Sequence, residues 1–165
     1  MVWASHIWNN WCIPKHQFVG WLIQMNALQL KGKLFHLGNV SDDLCVLCSN
    51  ASETVDHLFQ ECEYSRRLLD LCAQKCGLVL PNTNIIMWIG QCSASKTKKG
   101  VLLAFLQSTF YQIWMQRNKA RVEGCILRPE LVFKQLIREM NVWLKAKTEV
   151  AMDSRDRVWF NSLQM

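Results

Sequence analysis

The sequence predicts an all-α chain, and three observations carry that prediction. Apolar residues recur at helical spacing through most of the 165 residues. No segment shows the period-two alternation of a half-buried strand. Glycines number 7 and prolines 3, too few for long linkers or disordered tracts.

Taken in order, Ile7, Trp8 and Trp11 fit one face of a short helix or turn, which Pro14 ends. From Lys15, the series Phe18, Trp21, Leu22, Met25 and Leu28 predicts an amphipathic helix of about four turns with those residues on its buried face. Gly32 interrupts it. Leu34, Phe35 and Leu37 then form a further turn with Gly38 as C-cap. Ser52 to Phe59 reads as a short helix, with Asn50 or Ser52 as N-cap and Glu53 in its first turn. Tyr64 to Lys75 is a helix whose buried face holds Leu68, Leu69, Leu71, Cys72 and Cys76, stopping at Gly77. Residues 78–91, with Pro81, Asn82, Asn84 and Gly90 around Ile85, Ile86, Met87, Trp88 and Ile89, are expected as an ordered loop or short helix tucked under Trp88.

Ser93 to Arg121 is the longest helical stretch. It is apolar almost all round from Val101 to Met115, which predicts a central position. Its basic end, Arg117, Lys119 and Arg121, suits the helix dipole before Gly124. Pro129 as N1 opens the last long helix, running to Val150 with Val132, Leu136, Met140, Trp143 and Leu144 inward. The tail, Asp153–Met165, carries Val158, Trp159, Phe160 and Leu163 as an apolar clip that docks back or swaps onto a neighbour. The expected organisation is a small helical domain over residues 1–78 and a helical extension over 79–165, forming a C-terminal helical hairpin packed on it and ending in the tail.

Half the residues are apolar, eight are tryptophan, and 19% are charged. Soluble chains average about 25% charged, so some apolar surface is expected to be covered by a partner. Eight cysteines follow an N-terminus, Met1 to Asn10, that lacks the basic and apolar regions of a signal peptide. This points to a reducing intracellular compartment, nucleus or cytoplasm, and against disulfides. The longest apolar stretch is interrupted by Gln107, Ser108, Thr109 and Gln112 and is shorter than the ~20 residues a bilayer requires. No membrane partner is expected.

Chemistry concentrates in Cys45, Cys48, His57 and Cys62. The spacing Cys-x2-Cys-x8-His-x4-Cys supplies three thiolates and an imidazole, a closed tetrahedral shell for one structural Zn²⁺. Asp42 and Asp43 before the first pair, and Ser49 and Asn50 after it, place the pair in turn-forming sequence. Cys72 and Cys76, also one helical turn apart, sit among leucines and read as core. A catalytic zinc keeps an open position and a general base. Here every position is a protein side chain, and Glu53 and Glu61 read as helix-start or surface charge. The expectation is a non-catalytic protein with no small-molecule substrate.

The formal charge is +6, enough to permit phosphate contacts without demanding them. The candidate nucleic-acid contacts are Lys31, Lys33, Arg66, Arg67, Lys96, Lys98, Lys99, Arg117, Asn118 and Arg121, with Tyr64 or Phe35 available to stack on unpaired bases. Helix capping and core-edge packing also account for the Arg117, Asn118 and Arg121 trio. A protein partner or self-association is the other class, through Trp3, Trp8, Trp11, Trp88, Trp159 and the apolar tail.

Taken together, Ile7-Trp8, Ile13-Pro14-Lys15, Phe18, Trp21, Leu28 and Gly38, then Cys45-Val46-Leu47-Cys48, Glu53-Thr54, His57-Leu58-Phe59 and Cys62, resemble the zinc-binding region of plant non-LTR (LINE-type) retrotransposon reverse transcriptases. The resemblance covers about residues 3 to 76. Tyr111, Ile113-Trp114, Arg117-Asn118 and Arg121 resemble a Tyr-x-Ile-Trp-x-x-Arg-Asn segment found further along the same polyproteins. The chain departs in having Ile13 for the first of two prolines and Glu63-Tyr64 for a proline–aromatic pair. It has no Tyr-x-Asp-Asp polymerase motif, no endonuclease and no ribonuclease H carboxylate set. Beginning at Met1 just ahead of the tryptophan motif, it is expected to be a stand-alone relic or domesticated piece of a retroelement. The resemblance implies a non-catalytic zinc module contacting RNA or DNA. The alternative is a protein-interaction module or domesticated regulator using its tryptophan-rich surface.

Overall fold

The computed structural model describes residues 4–82, 84–147 and 152–163. Trp3, residues 148–150 of the expected last long helix and the last two residues of the tail lie outside them. Among the described residues, eight α-helices follow one another: α1 Ala4–Ile7, α2 Pro14–Gln24, α3 Lys31–His36, α4 Glu63–Lys75, α5 Ile85–Gln91, α6 Lys96–Glu123, α7 Pro129–Lys145 and α8 Ser154–Leu163. A π-helical turn, His57–Glu61, precedes α4. Among the described residues there is no strand; the one sheet-like feature is an isolated bridge between Leu44 and Ser52.

α6 is the axis. Every residue from Gly100 to Phe110 is buried, as are Ile113, Gln116 and Arg117. Such a helix must be surrounded, and α1, α2, α4, α5, α7, α8 and the π-turn all pack on it. Ser95 caps its start by accepting from the Lys98 N–H at 3.0 Å. Gly124, with φ of 68°, closes its end in the left-handed conformation that glycine adopts without a Cβ penalty. α7 lays Val132, Leu136, Met140 and Leu144 along one face, all fully buried. α8 returns to the same chain, burying Phe160 and Leu163 and setting Phe160 against Trp11 at 6.0 Å between ring centroids. The tail therefore docks back. One continuous apolar core joins residues from Cys12 to Leu163, on both sides of position 78.

Several local expectations are corrected. Pro14 ends the first segment and also opens α2, as its N1 residue. α2 meets α6 through His16, Val19, Gly20 and Ile23 rather than through its broad apolar stripe. Phe18 and Met25 face outward, 53% and 48% exposed, with Trp21 half-buried beside them. The cause is polar anchorage plus close approach. His16 bonds Ser108 at 2.8 Å, and Gln107 donates to the carbonyls of His6 and Ile7 at 3.1 Å each. A Cβ on Gly20 would already stand 3.4 Å from Gln107.

Gly32 does not interrupt a helix; it lies inside α3, buried. A Cβ there would meet the Glu53 carbonyl oxygen at 2.9 Å. Residues 85–91 form a short helix, capped by Asn84, which accepts from Met87 N–H at 3.2 Å. No helix among the described residues is long and apolar enough to cross a membrane.

Candidate metal centre

The loop from Asp43 to Glu53 folds back on itself through backbone bonds. Glu53 N–H donates to the Asp43 carbonyl at 2.8 Å, and Cys45 N–H to the Ala51 carbonyl at 2.8 Å. Ser49 N–H returns to the Cys45 carbonyl at 2.8 Å, closing the turn that carries Cys45 and Cys48, with Ser49 at a positive φ of 57°. The following helical segment starts later than its sequence suggests. Thr54, not Asn50 or Ser52, caps it, accepting from His57 N–H at 3.1 Å. The helix then widens by one residue: Cys62 N–H bonds the His57 carbonyl at 2.7 Å. Single π-turns of this kind gather at functional sites. This one brings His57 and Cys62 to face the Cys45–Cys48 turn.

The result is a compact group. The ligand atoms of Cys45, Cys48, His57 and Cys62 all lie within 4.8 Å of one another. Cys45 Sγ is 3.9 Å from Cys62 Sγ, and Cys48 Sγ is 3.2 Å from His57 Nε2. With Zn–S near 2.3 Å and Zn–N near 2.0–2.1 Å, a tetrahedron has edges of about 3.8 Å between sulfurs and about 3.6 Å from sulfur to nitrogen. The donor set and its spacing fit a divalent, thiophilic ion. Cys45 Sγ donates to Cys62 Sγ, which holds the Cys62 thiol below its ordinary value despite its burial and pushes Cys45 up, with burial adding to the rise. Thiolate character is the form a metal needs. On the far side of the imidazole, the Glu61 carboxylate lies 3.8 Å from His57 Nδ1, beyond hydrogen-bond reach.

Cys72 and Cys76 are core, as expected, their thiols pushed up to about 12 by burial. All eight cysteines are free of disulfides.

Glu53 is the main residue that sequence reasoning misjudged. It is fully buried rather than a surface or helix-start charge. Its carboxylate accepts from Lys31 N–H at 2.9 Å, from Val46 N–H at 3.3 Å, and from Arg117 Nε at 3.1 Å and Nη2 at 2.5 Å. Arg117, 2% exposed, also donates to the Gln29 carbonyl and to Asn118 Oδ1, at 3.1 Å each. Its guanidinium lies 5.1 Å from the Trp114 ring centroid. The available signal was an arginine continuing a helix that is apolar almost all round.

Arg117 and Asn118, expected as nucleic-acid contacts, are therefore internal partners. Tyr64 is likewise buried, its hydroxyl donating to the Leu127 carbonyl at 2.8 Å, and is closed to base stacking. Phe35 remains 43% exposed. The other expected cations divide. Lys31 is ion-paired with Asp42, whose carboxyl it holds below its ordinary range. Arg66 donates to the carbonyls of Leu80 and Pro81 at 3.2 and 3.1 Å, and Arg67 to Glu130 at 2.9 Å. Lys98 lies 4.7 Å from the Trp159 ring centroid, and Lys99 donates to the Gly90 carbonyl at 3.1 Å. Lys33, Lys96 and Arg121 are exposed. They do not form one patch: Lys96 and Arg121 stand at opposite ends of α6, roughly 37 Å apart at 1.5 Å per residue. Lys33 shares with His36 the lip of a groove of about 590 Å³, whose lining includes Ile23, Leu28, Phe59 and Phe110.

The knuckle packs on α3 through Gly32, on α4, and on α6, where Phe59 meets Phe110 edge-on at 5.5 Å. It does not rest on the outward Phe18/Trp21 face.

Comparison with known proteins follows the same lines. No curated protein and no solved structure matches the chain. Residues 1–68 match the family described as zinc-binding in reverse transcriptase. That stretch holds all four clustered donors and ends well short of Arg117. Residues 1–68 are thus similar in sequence to the zinc-binding domain of reverse transcriptases, and within them stands a Cys3His group able to hold the ion.

Proposed function

We propose that the protein is a non-catalytic, retroelement-derived zinc module, of the plant LINE type, whose free surface cations contact RNA or DNA. The observation that carries the zinc part is the convergence of three sulfurs and one imidazole nitrogen within 4.8 Å. With four protein donors, a bound Zn²⁺ would have no open position for substrate and would act on the fold alone. The nucleic-acid part is supported by Lys33 and His36 at the lip of the groove beside the knuckle, with Phe35 exposed on the same short helix. Nucleus or cytoplasm is the compartment that suits such thiolates.

Metal analysis of the purified protein tests the first part, with one zinc per chain expected. Filter binding of single-stranded RNA and DNA over a salt series tests the second. Binding should weaken steeply with salt and fall further in Lys33→Glu. A signal indifferent to salt excludes it. A second reading, a protein partner or a second copy of the chain, is favoured by the outward Phe18, Trp21 and Met25. A mass that rises with concentration in light scattering, and is restored to monomer by Phe18→Ser, would support that reading.

A further inference from the structure

We infer that Arg117 is a positioning residue for the metal centre, so that the zinc module is completed by a helix outside the stretch that matches the zinc-binding family. The inference rests on the zinc reading above. It begins with Val46, whose N–H lies inside the Cys45–Cys48 turn and is held by one oxygen of Glu53 at 3.3 Å. The other oxygen takes Lys31 N–H, at the start of α3. Glu53 thus ties the ligand turn to α3 from within, and it does so fully buried.

A buried carboxylate next to a centre that carries a net charge of −1 with zinc and three thiolates is unfavourable unless it is compensated. Arg117 is the compensation. It offers Nε and Nη2 to one Glu53 oxygen at 3.1 and 2.5 Å. Its own orientation is set from three further sides: the Gln29 carbonyl, Asn118 Oδ1 and the face of Trp114. The Trp114, Arg117 and Asn118 string is therefore one latch, and its strike is the Glu53 that precedes Thr54 and His57. The two sequence motifs, sixty-four residues apart, are halves of a single device.

The test uses the full chain with Arg117→Met and Arg117→Lys. Zinc affinity is measured by competition with a chromophoric chelator, and the thiolate-to-metal absorption by substitution with Co²⁺. Losing an outer partner of a metal site typically costs 10–100-fold in affinity, and that is the loss expected for Arg117→Met, with an altered Co²⁺ spectrum and wild-type helical circular dichroism at saturating zinc. Arg117→Lys should recover part of the affinity, since it keeps the charge without the planar fork. In the metal-free protein, alkylation of Cys48 by iodoacetamide should be several-fold faster in Arg117→Met. Affinity and alkylation both at wild-type levels overturn the proposal. If Arg117→Met fails to fold, Arg117→Lys decides: affinity within twofold of wild type overturns it. A wild-type protein that takes up no zinc defeats the zinc reading instead, and the alkylation comparison still decides the latch.

Discussion

His16 is a buried imidazole with little room to change its charge. Nδ1 bonds Ser108 at 2.8 Å, the ring stacks on Tyr111 at 4.3 Å, and Nε2 has no hydrogen-bond partner among the described residues. Glu139 of α7 lies 3.7 Å from Nε2, and Lys15 stands nearby, itself paired with Glu139 at 2.8 Å. Burial pushes the imidazole down from 6.5 to about 4; Glu139 opposes the shift and Lys15 adds to it. A group whose neutral form is favoured by the fold binds fewer protons folded than unfolded between those two values, so stability falls as pH drops from about 6.5 towards 4, by on the order of 3 kcal/mol. His16→Asn should lose that component: melting across this range should show the gap between wild type and variant narrowing as acid is added. A constant gap counts against it. At the ligands themselves, Cys48→Ser or His57→Ala should abolish stoichiometric zinc and lower the melting temperature, and unchanged zinc content in either rules the site out. These four positions were legible because they lie within eighteen residues and their chemistry is unusual. Glu53 was not, since a lone carboxylate gives no hint of a partner sixty-four residues away.

At the scale of elements, α6, α7 and the α4 face follow their periodic patterns, because a stripe of branched residues on a long helix has few alternatives to burial. α2 defeats the same rule. Its apolar positions occupy more than one face, and periodicity cannot choose between faces when a histidine and a glycine hold the contact. The two faces make opposite predictions. Phe18→Lys should change stability by less than about 0.5 kcal/mol, as exposed positions do. Val19→Lys, which buries a charge against α6, should cost several kcal/mol. Thermal melts that destabilise both equally would mean that the exposed stripe is covered in solution. The π-turn at His57–Glu61 also escaped the sequence, because a one-residue widening has no signature in spacing.

For the whole molecule, residues 39–56 of the knuckle fully bury a single apolar side chain, Cys45, and structural zinc contributes on the order of 10 kcal/mol to such segments at neutral pH. Chelation should therefore lower the melting temperature and raise hydrogen exchange first in residues 39–62 and next in α3, while amides in the middle of α6 and α7 stay protected. Uniform loss of protection would show that the metal governs the entire core rather than one end of it. Composition and pattern were enough for an all-α architecture. The way the ends of the chain meet at one axis was beyond them, since it depends on crossings such as Trp143 Nε1 to the Trp11 carbonyl at 2.7 Å.

That axis bears on what a recombined copy of the matched stretch would carry. A recombination that copied only the first 68 residues would deliver the four donors and leave behind the cation that neutralises Glu53, along with the helix that shelters Phe59. The recipient would inherit ligands without a scaffold. If Arg117 latches the metal centre as inferred, the unit that keeps its ion is a split one, drawn from two distant parts of the chain.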